Sequence, residues 1–165
     1  MLFPEEDANA HYIERQAEDA LLGSCSSHAF RLEGVEWPSV EHYFQAMKFQ
    51  TTDPEYMEKI RLAKHSKAAR RLGRKHSRKL RKDWKQVKKI VMTRAVYTKC
   101  KAHPEVASAL LETGDDRLVN NQQYDYFWGC GRDRRGENTY GKVLMDVRNK
   151  LREEALEAVS SNSVV

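Results

Sequence analysis

Apolar residues recur at helical spacing along most of this chain, and a short alternating pattern stands out in one place. Phe30-Arg31-Leu32 and Val35-Glu36-Trp37 flank Glu33-Gly34. Glycine tolerates the positive φ of a tight turn, so the pattern predicts a short β-hairpin ending at Pro38. Ser39 can then accept from a first-turn amide, which predicts a helix over Val40 to Phe49. Along it Val40, Phe44 and Met47 share one side, and Glu41, Gln45 and Lys48 share an adjacent one. One face is expected to pack and the other to be open to chemistry.

Further along, Thr52-Asp53-Pro54-Glu55 reads as a capping box with proline in the first turn, opening a helix to about Leu62. A short helix after Ser66 is expected to stop at Gly73. Asp83 is placed to cap a central helix from Trp84 to about Lys101, with Trp84, Val87, Val91 and Ala95 as its apolar stripe. Pro104 opens a helix ending at Gly114. From Asp115 to Glu137 no clean period exists apart from an extended piece at Leu118-Val119, so this stretch reads as loop. Asn138 is expected to cap a last helix carrying Tyr140, Leu144, Val147 and Leu151, and Ser160 to Val165 to fray. The count of elements predicts a mainly α, multihelical fold with a small β-hairpin.

At 165 residues, without repeats or a Pro/Gly-rich linker, the chain is expected to form a single compact domain over 1–165, with its core at about 23–158. The segment Met1 to Asp7 lacks the basic and apolar regions of a secretory signal, and no apolar run reaches the roughly 20 residues of a membrane helix. No membrane association and a cytoplasmic location are the expectations. Three widely spaced cysteines, Cys25, Cys100 and Cys130, fit reduced thiols better than a disulfide framework or zinc site.

Charge is more informative than composition. Lys59 to Lys89 holds fifteen Lys or Arg and one acid, Asp83, so it carries +14 of a chain whose net charge is +5, leaving −9 elsewhere. Such a field attracts phosphates, on a small nucleotide or along a nucleic acid. A solvated helix face is the plainer account of the same residues.

Three segments present candidate chemistry. On the Glu41 to Phe49 helix a carboxylate, an amide and an ammonium stand one turn apart with aromatics around them; as a bare pattern this is an ordinary solvated stripe. Tyr124-Asp125-Tyr126-Phe127-Trp128-Gly129-Cys130-Gly131-Arg132 gathers four aromatics about one acid and closes on a glycine pair, suited to stacking a planar heterocycle or to plugging the core under a loop. Arg132 to Lys142 is a basic loop feeding a helix amino terminus, a setting that suits a phosphate, although no Walker loop is present. The six histidines show no zinc spacing and no serine sits in a Gly-x-Ser-x-Gly elbow, so neither a metal nor any other cofactor is expected. A carboxylate, aromatic walls and a phosphate anchor together fit cleavage of a glycosidic C–N bond. The carboxylate would stabilise the oxocarbenium charge that develops on the sugar.

Trp37-Pro38-Ser39-Val40-Glu41-His42-Tyr43-Phe44-Gln45-Ala46-Met47-Lys48-Phe49 resembles the signature of the NADAR, or YbiA-like, family. The likeness continues through Leu72-Gly73-Arg74, Arg81-Lys82-Asp83-Trp84, Phe127-Trp128-Gly129 and Leu144-Met145-Asp146-Val147-Arg148, covering about Phe30 to Leu151. The resemblance implies a multihelical fold and hydrolysis of N-glycosidic bonds. Its implied substrates are early riboflavin-pathway ribosylaminopyrimidine 5′-phosphates or, in other members, ADP-ribose attached to guanine in nucleic acid. Two departures stand out. Gly23-Ser24-Cys25-Ser26-Ser27-His28 replaces a Ser-Asn-Phe-like motif, and Asn120-Asn121-Gln122-Gln123 replaces an acid and a Ser-Pro pair.

The expectation is therefore an N-glycosidase acting on a ribosyl phosphate, with Glu41 as key carboxylate and Asp125 as second acid or ribose ligand. Trp37 and Trp128 would flank the heterocycle, and Lys48, Arg132 and Arg134 would hold phosphate or leaving-group charge. Tyr43, Gln45, Gly129 and Asn138 complete the expected binding set. A nucleic-acid-binding module using Lys59 to Lys89, and a scaffold that binds ADP-ribose without cleaving it, are the rivals.

Overall fold

A computed structural model describes residues 9–162; the amino-terminal segment read for a signal and the last three residues lie outside the described part. Its elements run β1 (Ala10–Ile13), β2 (Phe30–Leu32), β3 (Val35–Trp37), α1 (Val40–Met47), α2 (Pro54–Arg61), α3 (Ser66–Lys75), a 3-10 turn (Ser77–Lys79), α4 (Trp84–Ala102), α5 (Pro104–Glu112), β4 (Arg117–Asn120) and α6 (Thr139–Asn162). The mainly α architecture follows the hydrophobic spacing. The β2–β3 hairpin turns through Glu33 and Gly34, at φ 56° and 78°. That pair of positive φ values is what a two-residue hairpin turn matching strand twist requires.

A second sheet joins two segments far apart in the chain. β1 pairs parallel with β4, Ala10 opposite Arg117 and Ile13 opposite Asn120. Leu118 and Val119 are buried as expected of an extended piece, but their partner strand carries too little alternation to be read locally. The core consequently begins before residue 23, since Ile13 belongs to it.

α1 is the hub, packed by α2, α3 and α4, and all eight of its residues are buried. The open face expected on it is thus closed, and Glu41 and Gln45 lie inside the molecule. Ser39 caps α1 by accepting from the His42 amide. Asp53, rather than Thr52, caps α2, because its carboxylate reaches the Tyr56 amide.

Three other boundaries depart from expectation. α3 runs through Gly73 to Lys75, because Gly73 is a close-packing position against α1 and not a terminator. Asp83 is the N-cap residue of α4 as expected but makes no side-chain cap bond; its carboxylate pairs with Arg81. Asn138 has φ 52°, outside the extended conformation of a capping residue. Its carboxamide turns back to strand β4 instead, accepting from the Asn120 amide and donating to the Leu118 carbonyl. At the carboxyl end α6 stays helical to Asn162. Among the described residues no helix is long and apolar enough to cross a membrane, and no group of three His, Cys, Asp or Glu is placed to hold a metal.

Candidate active site

Glu41 sits in the first turn of α1, where helix amides lack intrahelical partners, and its own amide donates to the Ser24 carbonyl at 2.8 Å. Its side chain is fully buried. An unpartnered carboxylate there would cost several kcal/mol. Three donors offset that cost: Ser24 Oγ at 2.7 Å and Arg15 Nη1 at 3.3 Å on Oε2, and Gln45 Nε2 at 2.8 Å on Oε1. Burial alone would raise its pKa, but the Arg15 charge and the bonds from Gln45 and Ser24 outweigh it and hold the carboxyl below the usual range. Glu41 is therefore an anion at neutral pH.

Arg15 is the counterion and is itself 3% exposed. Its Nε donates to Gln122 Oε1 at 3.1 Å and its amide to Asn120 Oδ1 at 3.3 Å. The guanidinium carbon stands 5.7 Å from the Trp128 ring centroid and 5.9 Å from that of Tyr140. Asn120 Nδ2 in turn donates to Gln122 Oε1 and to the Trp128 carbonyl. The amides at 120 and 122 thus aim Arg15 at Glu41 without adding a second negative charge beside it.

The loop that delivers Ser24 is pinned from beneath by a buried lysine. Lys99 Nζ donates to the Leu21 carbonyl, the Gly23 carbonyl and Ser26 Oγ at 2.7, 2.8 and 2.7 Å. Burial lowers its pKa to about 8. Tyr140 Oη adds a bond to the Leu22 carbonyl at 2.6 Å.

On the other side, α3 closes over Gln45. Its inward positions are Ser66, Ala69 and Gly73, and these small residues let the two helices approach. Arg70 and Arg74 follow the inner residues Ala69 and Gly73 by one position each. Lys48, at the end of α1, has Nζ 5.8 Å from the Phe44 ring and 6.0 Å from Trp84. Burial lowers its pKa to about 8, with Arg74, Arg15 and Arg70 lowering it further and Glu41 opposing them.

The structure therefore brings Glu41, Gln45, Lys48 and Trp128 together, the last packed edge-on against Phe44 at 5.4 Å. Other expected site residues go elsewhere. Trp37 and Tyr43 pack edge-to-face at 5.1 Å in the core, with Trp37 Nε1 on the Leu32 carbonyl and Tyr43 Oη on Glu33. Asp125 Oδ1 accepts from the Phe127 and Trp128 amides at 3.0 and 2.7 Å, shaping the loop. Gly129 lies where a β-carbon would meet the Gln122 carbonyl at 2.5 Å, so it serves loop packing. Arg132 is exposed, Arg134 donates to Tyr12 Oη at 3.1 Å, and Asn138 is the buried clamp on β4.

Arg15, Ser24, Asn120, Gln122 and Arg70 escaped the sequence reading as site residues. They lie far apart along the chain, four of them in segments without period or on a strand end. The one local signal was that Ser24, Asn120 and Gln122 fall within the two stretches that depart from the family pattern.

Comparison with known proteins places the geometry in context. The NADAR domain family model matches residues 3–152. An N-glycosidase of Nostoc punctiforme is 41% identical over 128 residues, 77% of this chain and 82% of that protein. N-glycosidase YbiA of Escherichia coli strain K12 is 40% identical over 121 residues, 73% and 74% of the two chains. A riboflavin biosynthesis protein of Vibrio vulnificus is 35% identical over 88% of this chain and 39% of its own length. The NMR structure of the Escherichia coli protein YbiA superimposes with a TM-score of 0.81 at 34% identity, covering 95% of this chain and 92% of that one.

Proposed function

Because the chain belongs to the NADAR domain family, we propose that it is an N-glycosidase that hydrolyses the bond between a heterocyclic ring and a ribose phosphate. The observation that carries this reading is a single buried, ionised carboxylate, Glu41, held by Arg15, Ser24 and Gln45 beside the half-buried Lys48. As the C–N bond breaks, its electron pair leaves with nitrogen and positive charge grows on the ribose. A fixed anion stabilises that charge, strongly so away from bulk water. Water then forms the new bond to the anomeric carbon and gives up a proton, for which Glu41 is the acceptor. The Lys48 ammonium faces the charge growing on the departing nitrogen and supplies its proton.

Glu41 has no exposed surface, so substrate must displace one of its partners. Gln45 is the cheapest to move. Its Oε1 is buried without a hydrogen-bond partner, so turning the carboxamide sacrifices one bond and not two.

Ribosylaminopyrimidine 5′-phosphates are the favoured substrates. Support comes from the name of the Vibrio vulnificus relative and from that of a chloroplastic riboflavin biosynthesis protein of Zea mays, 37% identical over 70% of this chain and 20% of its own length. ADP-ribose on guanine in nucleic acid is the second reading, favoured by the cationic outer face of α3. Both substrates should be offered to purified protein and release of ribose 5-phosphate or ADP-ribose followed by mass spectrometry. Release by the wild type and its loss in Glu41→Gln support the assignment; equal rates for the two proteins refute the role of Glu41.

A further inference from the structure

The residues round Glu41 do not balance in charge. Arg15, Lys48, Arg70 and Arg74 all act electrostatically on this region, against one carboxylate. Holding a half-buried lysine among three guanidiniums is unfavourable unless a further anion joins them.

α3 is where that anion fits. Lys67, Arg70, Arg71, Arg74 and Lys75 line a cleft of about 390 Å³, along roughly 12 Å of helix at 1.5 Å per residue. Their spacing at i, i+3, i+4, i+7 and i+8 puts them on one face. The neighbouring cations Lys79 and Arg81 are matched by Asp53 and Asp83. Among the described residues no ion pair with a carboxylate occupies the five that line the cleft. Arg70 is also pre-positioned: its Nη1 donates to Gln16 Oε1, and Gln16 follows Arg15, which holds Glu41. Continuity from cleft to carboxylate runs through those two residues. Gln16 Nε2 is buried without a partner and adds a donor on the same path.

We propose that the outer face of α3, centred on Arg70 and Arg74, is the seat of the substrate's ribose-linked phosphate. This rests on the N-glycosidase reading and deepens it. It moves the phosphate anchor from the Arg132 to Asn138 loop, where Arg134 is engaged with Tyr12, to the helix that covers Gln45. Guanidiniums bind phosphate with paired, charge-assisted hydrogen bonds, and a bound dianion would offset the excess positive charge. Seating phosphate there fixes one end of the ribose while the anomeric carbon reaches toward Glu41.

The test measures binding apart from turnover. Ribose 5-phosphate and ADP-ribose are titrated by calorimetry into wild type, Arg74→Gln, Arg70→Gln/Arg74→Gln and, as a control from the same basic stretch, Arg78→Gln/Lys82→Gln. The expected result is a Kd raised at least about tenfold in both Arg74 variants, with little change in the control. Arg74 is exposed, so its single variant keeps the test valid if the double variant folds poorly. Tighter binding of ribose 5-phosphate identifies a terminal phosphate and tighter binding of ADP-ribose a diphosphate; either supports the seat. No binding to wild type, no loss in Arg74→Gln, or an equal loss in the control overturns it. If binding is lost as expected while no ring is ever released, the seat stands and the hydrolytic reading fails.

Discussion

A β-carbon placed on Gly73 would stand 2.1 Å from Oε1 of Gln45 and 2.8 Å from its Cβ and Cδ. No rotation of the amide end alone relieves contacts with both ends of the side chain, so the Gln45 side chain must shift and its bond to Glu41 with it. Gly73→Ala gains up to about 1 kcal/mol of helix propensity but loses about 1–3 kcal/mol to overpacking. The expected outcome is a net loss in urea denaturation and a fall in kcat and kcat/KM, because a wedged Gln45 can no longer swing aside to open Glu41 to substrate. Unchanged kcat would separate Gln45 from the chemistry.

Glu41→Leu leaves Arg15 buried with no anion beside it. Breaking a buried pair from one side costs about 3–5 kcal/mol, measurable by chemical denaturation. Arg15→Met/Glu41→Leu is expected to recover much of that loss while remaining inactive, which separates folding from catalysis. The pH dependence follows from the depressed carboxyl pKa. The stabilisation is complete above the ordinary value for an unfolded glutamate and is lost as pH falls through the lower folded value.

Lys48, with its pKa lowered to about 8, loses its ammonium well before an exposed lysine does. If that charge serves the leaving group, kcat falls as pH rises through about 8. Lys48→Arg keeps a cation at every accessible pH, so its profile should lose this alkaline limb even if its absolute rate is lower. Lys99 also titrates near 8, and a limb that persists in Lys48→Arg would point to it instead.

Lys99→Met removes the donor to three oxygens under the loop that carries Ser24. Leaving those acceptors unmet costs about 3 kcal/mol or more. Hydrogen exchange at residues 21–26 should quicken more than in α4 itself. Uniform quickening across the molecule would make Lys99 a general stability residue.

The helices and the hairpin were readable because period, caps and turn residues are local properties, written within ten or so positions. Ser39 before α1, Asp53-Pro54 before α2 and Glu33-Gly34 between strands each act through neighbours in the chain. Lys48 and Glu41 were likewise legible as members of one helix. Errors came where a residue with a local meaning was claimed by a distant partner. Gly73 ends no helix because Gln45 lies against it, and Asn138 gives α6 no side-chain cap because its carboxamide bonds Asn120 and Leu118.

By itself, then, the sequence determined a multihelical domain with one hairpin, a strongly basic segment and a helix bearing Glu41. Only the tertiary structure decided that this helix is enclosed on every side. It alone brought Arg15 and Ser24 to the carboxylate, set Trp37 against Tyr43 in the core and turned Asp125 onto the amides of its own loop. Periodicity reports which residues share a face, whereas a buried charge is set by partners that close long loops to reach it. The separation of 26 positions between Arg15 and Glu41 carries no pattern that announces their meeting.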